Sequence, residues 1–123
     1  MARITDSDHF FIAGSYWFLR RIIGVFVRLI WVRKVTGIKH IPQRGAAIIA
    51  FNHQSFFDFI CFASVSPRNI HFLAAEKFFE SSTLSPLMLM TGQIRVDRET
   101  HSKSSVHDSV AKHVKKGTLI GIF

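Results

Sequence analysis

The amino-acid sequence predicts an α/β domain whose largely parallel sheet is flanked by helices, preceded by an amphipathic helical segment. Three observations carry this. After residue 45, short apolar runs without helical period recur; segments of helical length and spacing separate them; and the first third is a long apolar stretch interrupted by arginines. Strands that alternate with helices imply parallel pairing, because parallel neighbours need a crossover connection between them.

The first element runs from Phe10 to Val32, 23 residues that are long enough to span a bilayer. Its thirteen Phe, Ile, Leu and Val residues favour insertion by about 4–8 kcal/mol. Arg20 and Arg21 lie at its middle, where each costs about 2.5–3.5 kcal/mol. The two sums nearly cancel, so a simple spanning helix is not expected. At about 100° per residue, Arg20, Arg21, Gly24, Arg28 and Trp31 share one narrow arc. Such a helix is expected to lie in a membrane interface, its guanidinium groups near phosphates and its broad apolar face in the acyl region. Tyr16, Trp17 and Trp31 are residue types found at that depth. The alternative is an ordinary helix packed on a larger domain. Gly14–Ser15 or Gly24 would be the places for a break. The apolar run is too long for a cleaved leader, and no small-residue cleavage site follows it.

The remaining elements follow in order. Gly37 to Pro42 reads as an extended segment and Gln43 to Gly45 as a turn. Ala46–Phe51 suits a buried strand, Phe56–Ser64 a helix that ends before Pro67, and Asn69–Ala74 a second strand. Short helices are expected at Glu76–Phe79 and Leu84–Met90, the latter ended by Gly92, then a strand at Gln93–Val96. Lys103–Lys116 carries Val106, Val110, Ala111 and Val114 at helical spacing, with Gly117 as its stop, and Thr118–Phe123 begins a fourth strand. A parallel sheet needs both faces covered, and the sequence ends inside that apolar strand, so it is expected to be part of a longer protein. Residues 1–36 are read as a membrane-associated helical segment and 37–123 as the N-terminal part of the α/β domain, whose sheet is incomplete.

The net charge of +8 narrows the partners. Residues 1–45 hold eight basic and two acidic residues, whereas residues 46–123 carry only +2. Basic charge set among Phe, Trp, Ile and Leu favours an anionic lipid surface over nucleic acid. The lone Cys61 forms no internal disulfide, which fits a reducing cytoplasmic compartment, and its apolar neighbours predict a buried thiol.

The chemistry-bearing segment is Asn52 to Asp58, set between a strand and a helix, where α/β folds bind ligands. On one continuous helix His53 and Asp58 would lie about 140° apart and not meet. With His53 in the turn and Asp58 in the first helical turn they meet, and Asp58 accepts the Nδ1–H and leaves Nε2 free to take a proton. Ser55 and Asp58 also match a capping box, a purely structural alternative.

Asn52, His53, Ser55 and Asp58 resemble the first motif of the glycerophospholipid acyltransferases, of the 1-acyl-glycerol-3-phosphate (lysophosphatidic acid) type. Gly92 to Arg98 resembles their second motif, and Gly37, Ile41, Pro42, Gly45, Lys77 and the run Gly117 to Phe123 recur in the expected order. The resemblance implies the fold of that family and an acyl transfer from acyl-CoA or acyl-carrier protein to the sn-2 hydroxyl of a lysophospholipid, forming phosphatidic acid in phospholipid biosynthesis. It makes His53 the general base and Asp58 its partner. It makes Arg98 the phosphate-binding residue, with Lys77 as a second positive charge and Gly92, Asn52 and Ser55 as further substrate-binding positions. Arg98 paired with Asp97 or Glu99 on a solvated turn is the structural alternative.

The expected partners are membrane lipids and the two substrates, at the cytoplasmic face of a plasma-type or endoplasmic-reticulum-type membrane. No nucleic acid, metal or cofactor is expected, and the oligomeric state is left open. Of the family's third motif, Phe-Pro-Glu-Gly, only Phe123 is present, so 123 residues alone are expected to be inactive and the full-length parent active. A non-catalytic membrane-binding module is the alternative reading, and another lysophospholipid or a lyso-aminolipid the alternative acceptor.

Overall fold

The computed structural model describes residues 6–55, 57–96 and 103–123. Four strands, β1 (Ala47–Ala50), β2 (Ile70–Ala75), β3 (Ile94–Val96) and β4 (Leu119–Ile122), form one sheet in the order β1-β4-β2-β3. Every pairing is parallel; Ala47 and Ile70 both stand opposite Leu119. All strand carboxyl ends therefore open on one edge. β4 lies between two neighbours, and Leu119, Ile120 and Gly121 are buried, which is why its sequence is apolar without alternation. β1 lies at the edge, and Ile48 is 53% exposed.

Helices flank the sheet. Ile70, Phe72 and Leu119 pack against Phe59, Phe62 and Ala63 of α3 (Asp58–Val65) on one face. On the other, His71 of β2 faces His113 of α6 (Lys103–Lys115), with ring centroids 6.3 Å apart. Burial pushes the His71 imidazole below its ordinary pKa, against the opposing pull of the Gly92 carbonyl 2.8 Å from Nδ1. Two short helices, α4 (Glu76–Glu80) and α5 (Ser85–Met90), connect β2 to β3. The expected extended segment at Gly37 to Pro42 is instead one 3₁₀ turn, Ile38–His40. Gly37 enters it at φ 79°, which lets the His40 N–H reach the Gly37 carbonyl at 2.9 Å.

The N-terminal segment is α1 (Asp6–Leu19), a π-helical turn (Arg20–Gly24) and α2 (Val25–Ile30). Neither Gly14–Ser15 nor Gly24 breaks it. The π turn adds residues per turn, so an arc drawn at 100° per residue does not carry through it unchanged. Arg20 and Gly24 face the domain: the Arg20 guanidinium donates to Asn69 Oδ1 at 3.2 Å and to the Ser66 carbonyl, and Gly24 packs beside Ser64. Arg20 is thus part of the docking of the helix to the domain, contrary to the single outward basic arc expected from the sequence. Tyr16 completes the docking, donating its buried hydroxyl to the Ile70 carbonyl at 2.6 Å; burial raises its pKa to about 12. The opposite side exposes Phe11, Trp17, Phe26 and Leu29. Among the described residues no helix is long and apolar enough to cross a membrane.

Gly121 is the tightest point of the core. A Cβ there would lie 2.4 Å from Cδ1 of Phe72. Gly121→Ala is expected to cost about 1–3 kcal/mol through overpacking, read as a lower midpoint of urea unfolding.

Candidate active site

At the carboxyl end of β1 the Phe51 N–H still donates to the Ile122 carbonyl at 2.8 Å, and its ring meets Phe62 edge-on at 4.5 Å. Asn52 to Ser55 then leave the sheet and are exposed. The chain turns at Ser55, whose carbonyl accepts the Asp58 N–H at 3.0 Å and whose Oγ accepts the Phe57 N–H at 3.2 Å. This turn brings His53 and Asp58 together, with Nδ1 3.5 Å from Oδ2. The same Oδ2 accepts the Gln54 and Ser55 N–H groups, each at 2.8 Å. One carboxylate oxygen thus serves both the helix-capping role and the pairing with histidine. The Ser55 and Gln54 amides hold the Asp58 carboxyl below its usual pKa, and His53 adds a smaller share.

The contact of 3.5 Å is looser than a tight N–H···O bond of about 2.9 Å; catalytic contacts commonly shorten once substrate is bound. A neutral imidazole whose Nδ1–H donated to Asp58 would carry its lone pair on Nε2. The imidazole also meets the ring of Phe123, centroids 4.7 Å apart.

His53 stands at the rim of a cleft of about 330 Å³ walled by Phe59, Phe78, Met88 and Phe123. Lys77, in the first turn of α4, lines the same cleft, its Nζ 5.3 Å from the Phe78 ring centroid. A narrower apolar hollow of about 100 Å³ lies between the π turn and α3 and shares Phe59 and Gln93 with the cleft. The structure therefore gathers His53, Asp58 and Lys77. Asn52 and Ser55 flank His53 outside the cleft wall. Gly92 is not on the wall either: at φ 62° it turns the chain into β3, and a Cβ there would lie 2.7 Å from Cγ2 of Ile12. Arg98 lies outside the described residues, as do Asp97 and Glu99.

Gln93 escaped the sequence reading as a site residue. Its Oε1 accepts the Phe72 N–H at 2.6 Å and its Nε2 donates to Thr91 Oγ1 at 2.9 Å, which fixes the wall between cleft and hollow. No periodicity or motif marks such a role. Cys61 is half-buried rather than enclosed, its thiol pushed up in pKa mainly by desolvation. Among the described residues no three His, Cys, Asp or Glu side chains gather as a metal site.

A histidine beside a carboxylate, at the carboxyl edge of a parallel sheet and next to an apolar cleft, is where an α/β enzyme places reactive groups. The family-model comparison agrees in kind: the model described as Acyltransferase matches residues 32–123, about three quarters of the chain. The chain belongs to that acyltransferase family. No curated protein and no solved structure gives a significant match.

Proposed function

We propose that this acyltransferase moves a fatty acyl group from an acyl thioester, carried by coenzyme A or acyl-carrier protein, to the sn-2 hydroxyl of 1-acyl-glycerol-3-phosphate, forming phosphatidic acid. The observation that carries the reading is the His53–Asp58 contact on the Nδ1 side, which leaves Nε2 as the basic nitrogen. Nε2 takes the hydroxyl proton as the alkoxide oxygen attacks the thioester carbonyl carbon. The C–S bond then breaks, and the departing thiolate takes the proton back from the imidazolium. Asp58 steadies the transient positive charge in between. A base of this kind contributes about 10²–10⁴-fold to rate.

Lys77 supplies positive charge at the cleft for the acceptor's phosphate, a role shared with Arg98 by resemblance to the family's second motif. The mainly aromatic and aliphatic cleft wall, and the hollow behind it, suit hydrocarbon chains. On the same reading the N-terminal helix meets the cytoplasmic face of a membrane through its exposed apolar side. Leu29 is 78% exposed and Phe26 62%, with Arg21 and Arg28 among them. A non-catalytic membrane-binding module accounts for that side alone and leaves the cleft unexplained.

The test is acyl transfer by the full-length protein, with labelled acyl-CoA and acyl-carrier protein, against a panel of lysophospholipids and lyso-aminolipids. Transfer to lysophosphatidic acid is expected, and transfer to no acceptor overturns the reading. Lys77→Ala is expected to raise the acceptor KM about tenfold with little change in kcat, the signature of lost ground-state binding.

A further inference from the structure

We propose that Phe123 is a positioning residue for His53: it holds the plane of the imidazole in which the base works. The inference rests on the general-base reading of His53. That side chain is 51% exposed and extends from a segment, Asn52 to Ser55, that is itself exposed. Asp58 meets one nitrogen at 3.5 Å, which aims Nδ1 but leaves the ring free to rock about that line. The Phe123 ring supplies the second constraint. Its centroid lies 4.7 Å from that of the imidazole with 45° between the planes, within the range of paired aromatic rings.

Phe123 is in turn fixed to the core. It stacks on the buried Phe72 at 5.3 Å and 15°, and meets Phe51 at 5.1 Å and 34°. The contact follows from sheet register. β1 and β4 are neighbours with Ala50 opposite Ile122, so Phe51 and Phe123 emerge together at the carboxyl edge. His53 is two residues beyond Phe51. A line of rings thus runs from the core to an imidazole that, among the described residues, is otherwise met only by Asp58 at one edge. Small misplacement of a reacting group costs rate steeply, so the effect belongs in kcat.

The experiment uses the full-length protein and the acyl-transfer assay with its best acceptor. Phe123→Leu and Phe123→Met keep apolar bulk but remove the ring; Phe123→Tyr restores it. The first two are expected to lower kcat about tenfold with both KM values unchanged, and Phe123→Tyr to recover most of the loss. In NMR spectra the His53 ring protons are expected to lose the ring-current shift that Phe123 imposes in the two ringless variants only. Unchanged kcat in a folded ringless variant overturns the proposal, as does a loss confined to KM, which would make Phe123 a substrate contact. Should a ringless variant not fold, an absent ring-current shift on His53 in the unmodified protein also overturns it. The two readings fail separately. Full activity in His53→Ala removes the base reading whatever Phe123 does, whereas an inactive His53→Ala beside a fully active Phe123→Leu removes the positioning alone.

Discussion

His53→Ala is expected to lower kcat about 10²–10⁴-fold while leaving the protein folded. The size follows from what the imidazole does and from where it sits. A secondary hydroxyl is a poor nucleophile until its proton has somewhere to go, and among the described residues lining the cleft His53 is the one imidazole. Lys77 is the other titratable group there, and on the proposed reading it serves the acceptor's phosphate. The imidazole is half exposed, so truncating it opens no core cavity, and its ring partner among the described residues, Phe123, keeps its packing on Phe51 and Phe72. Stability is therefore expected to change by less than about 1 kcal/mol, as for surface substitutions in general. The measurement pairs single-turnover acyl transfer with thermal unfolding of the same samples. Full activity in His53→Ala ends the base reading; lost activity with lost folding sends the question to His53→Gln.

The sheet was legible because its strands are short apolar runs, most completely where a strand is buried on both faces. Thr118 to Phe123 is such a run, and it forms the inner strand β4. The helices between were legible from their stops, such as Pro67 after α3 and Gly117 after α6, which at φ 72° closes the helix as a left-handed cap. The N-terminal helix was legible in extent and not in orientation. A hydropathy pattern states which residues share a face, and it cannot state which face meets protein; Asn69 and Ser66, the partners of Arg20, are more than forty residues away. The π turn, which regroups the arginines, leaves no trace in composition. For the site, the residues His53 and Asp58 and the need for a turn between them were legible. That one oxygen, Oδ2, would serve two amides and the imidazole was not, since capping and pairing pointed to the same carboxylate as rival explanations. Phe123 and Gln93 were hidden for a third reason: their roles arise from strand register and side-chain packing, which sequence spacing does not encode.

Asp58→Asn separates the two tasks of that oxygen. The Gln54 and Ser55 N–H groups, both at 2.8 Å, demand an acceptor where Oδ2 now sits. An asparagine in the same rotamer meets that demand with its carbonyl oxygen, so the turn survives and the Nδ1–H of His53 still finds an acceptor. What disappears is the negative charge. That charge steadies the imidazolium formed during transfer, an attraction that solvent around an open carboxylate screens. The Asp58 side chain is open to solvent, so the effect is smaller than loss of the base itself, and kcat is expected to fall about 10–100-fold. Asp58→Ala removes the acceptor as well; its loss is expected to approach that of His53→Ala. Acid stability offers a second readout. Because the folded Asp58 pKa is lowered, its contribution is full above the unfolded value of about 3.9 and is lost as pH falls through the lowered folded value. The unfolding temperature of Asp58→Asn should therefore decline less steeply below about pH 4 than that of the unmodified protein. Equal slopes, with kcat equal in Asp58→Asn and Asp58→Ala, would show that the amide contacts contribute nothing to the turn.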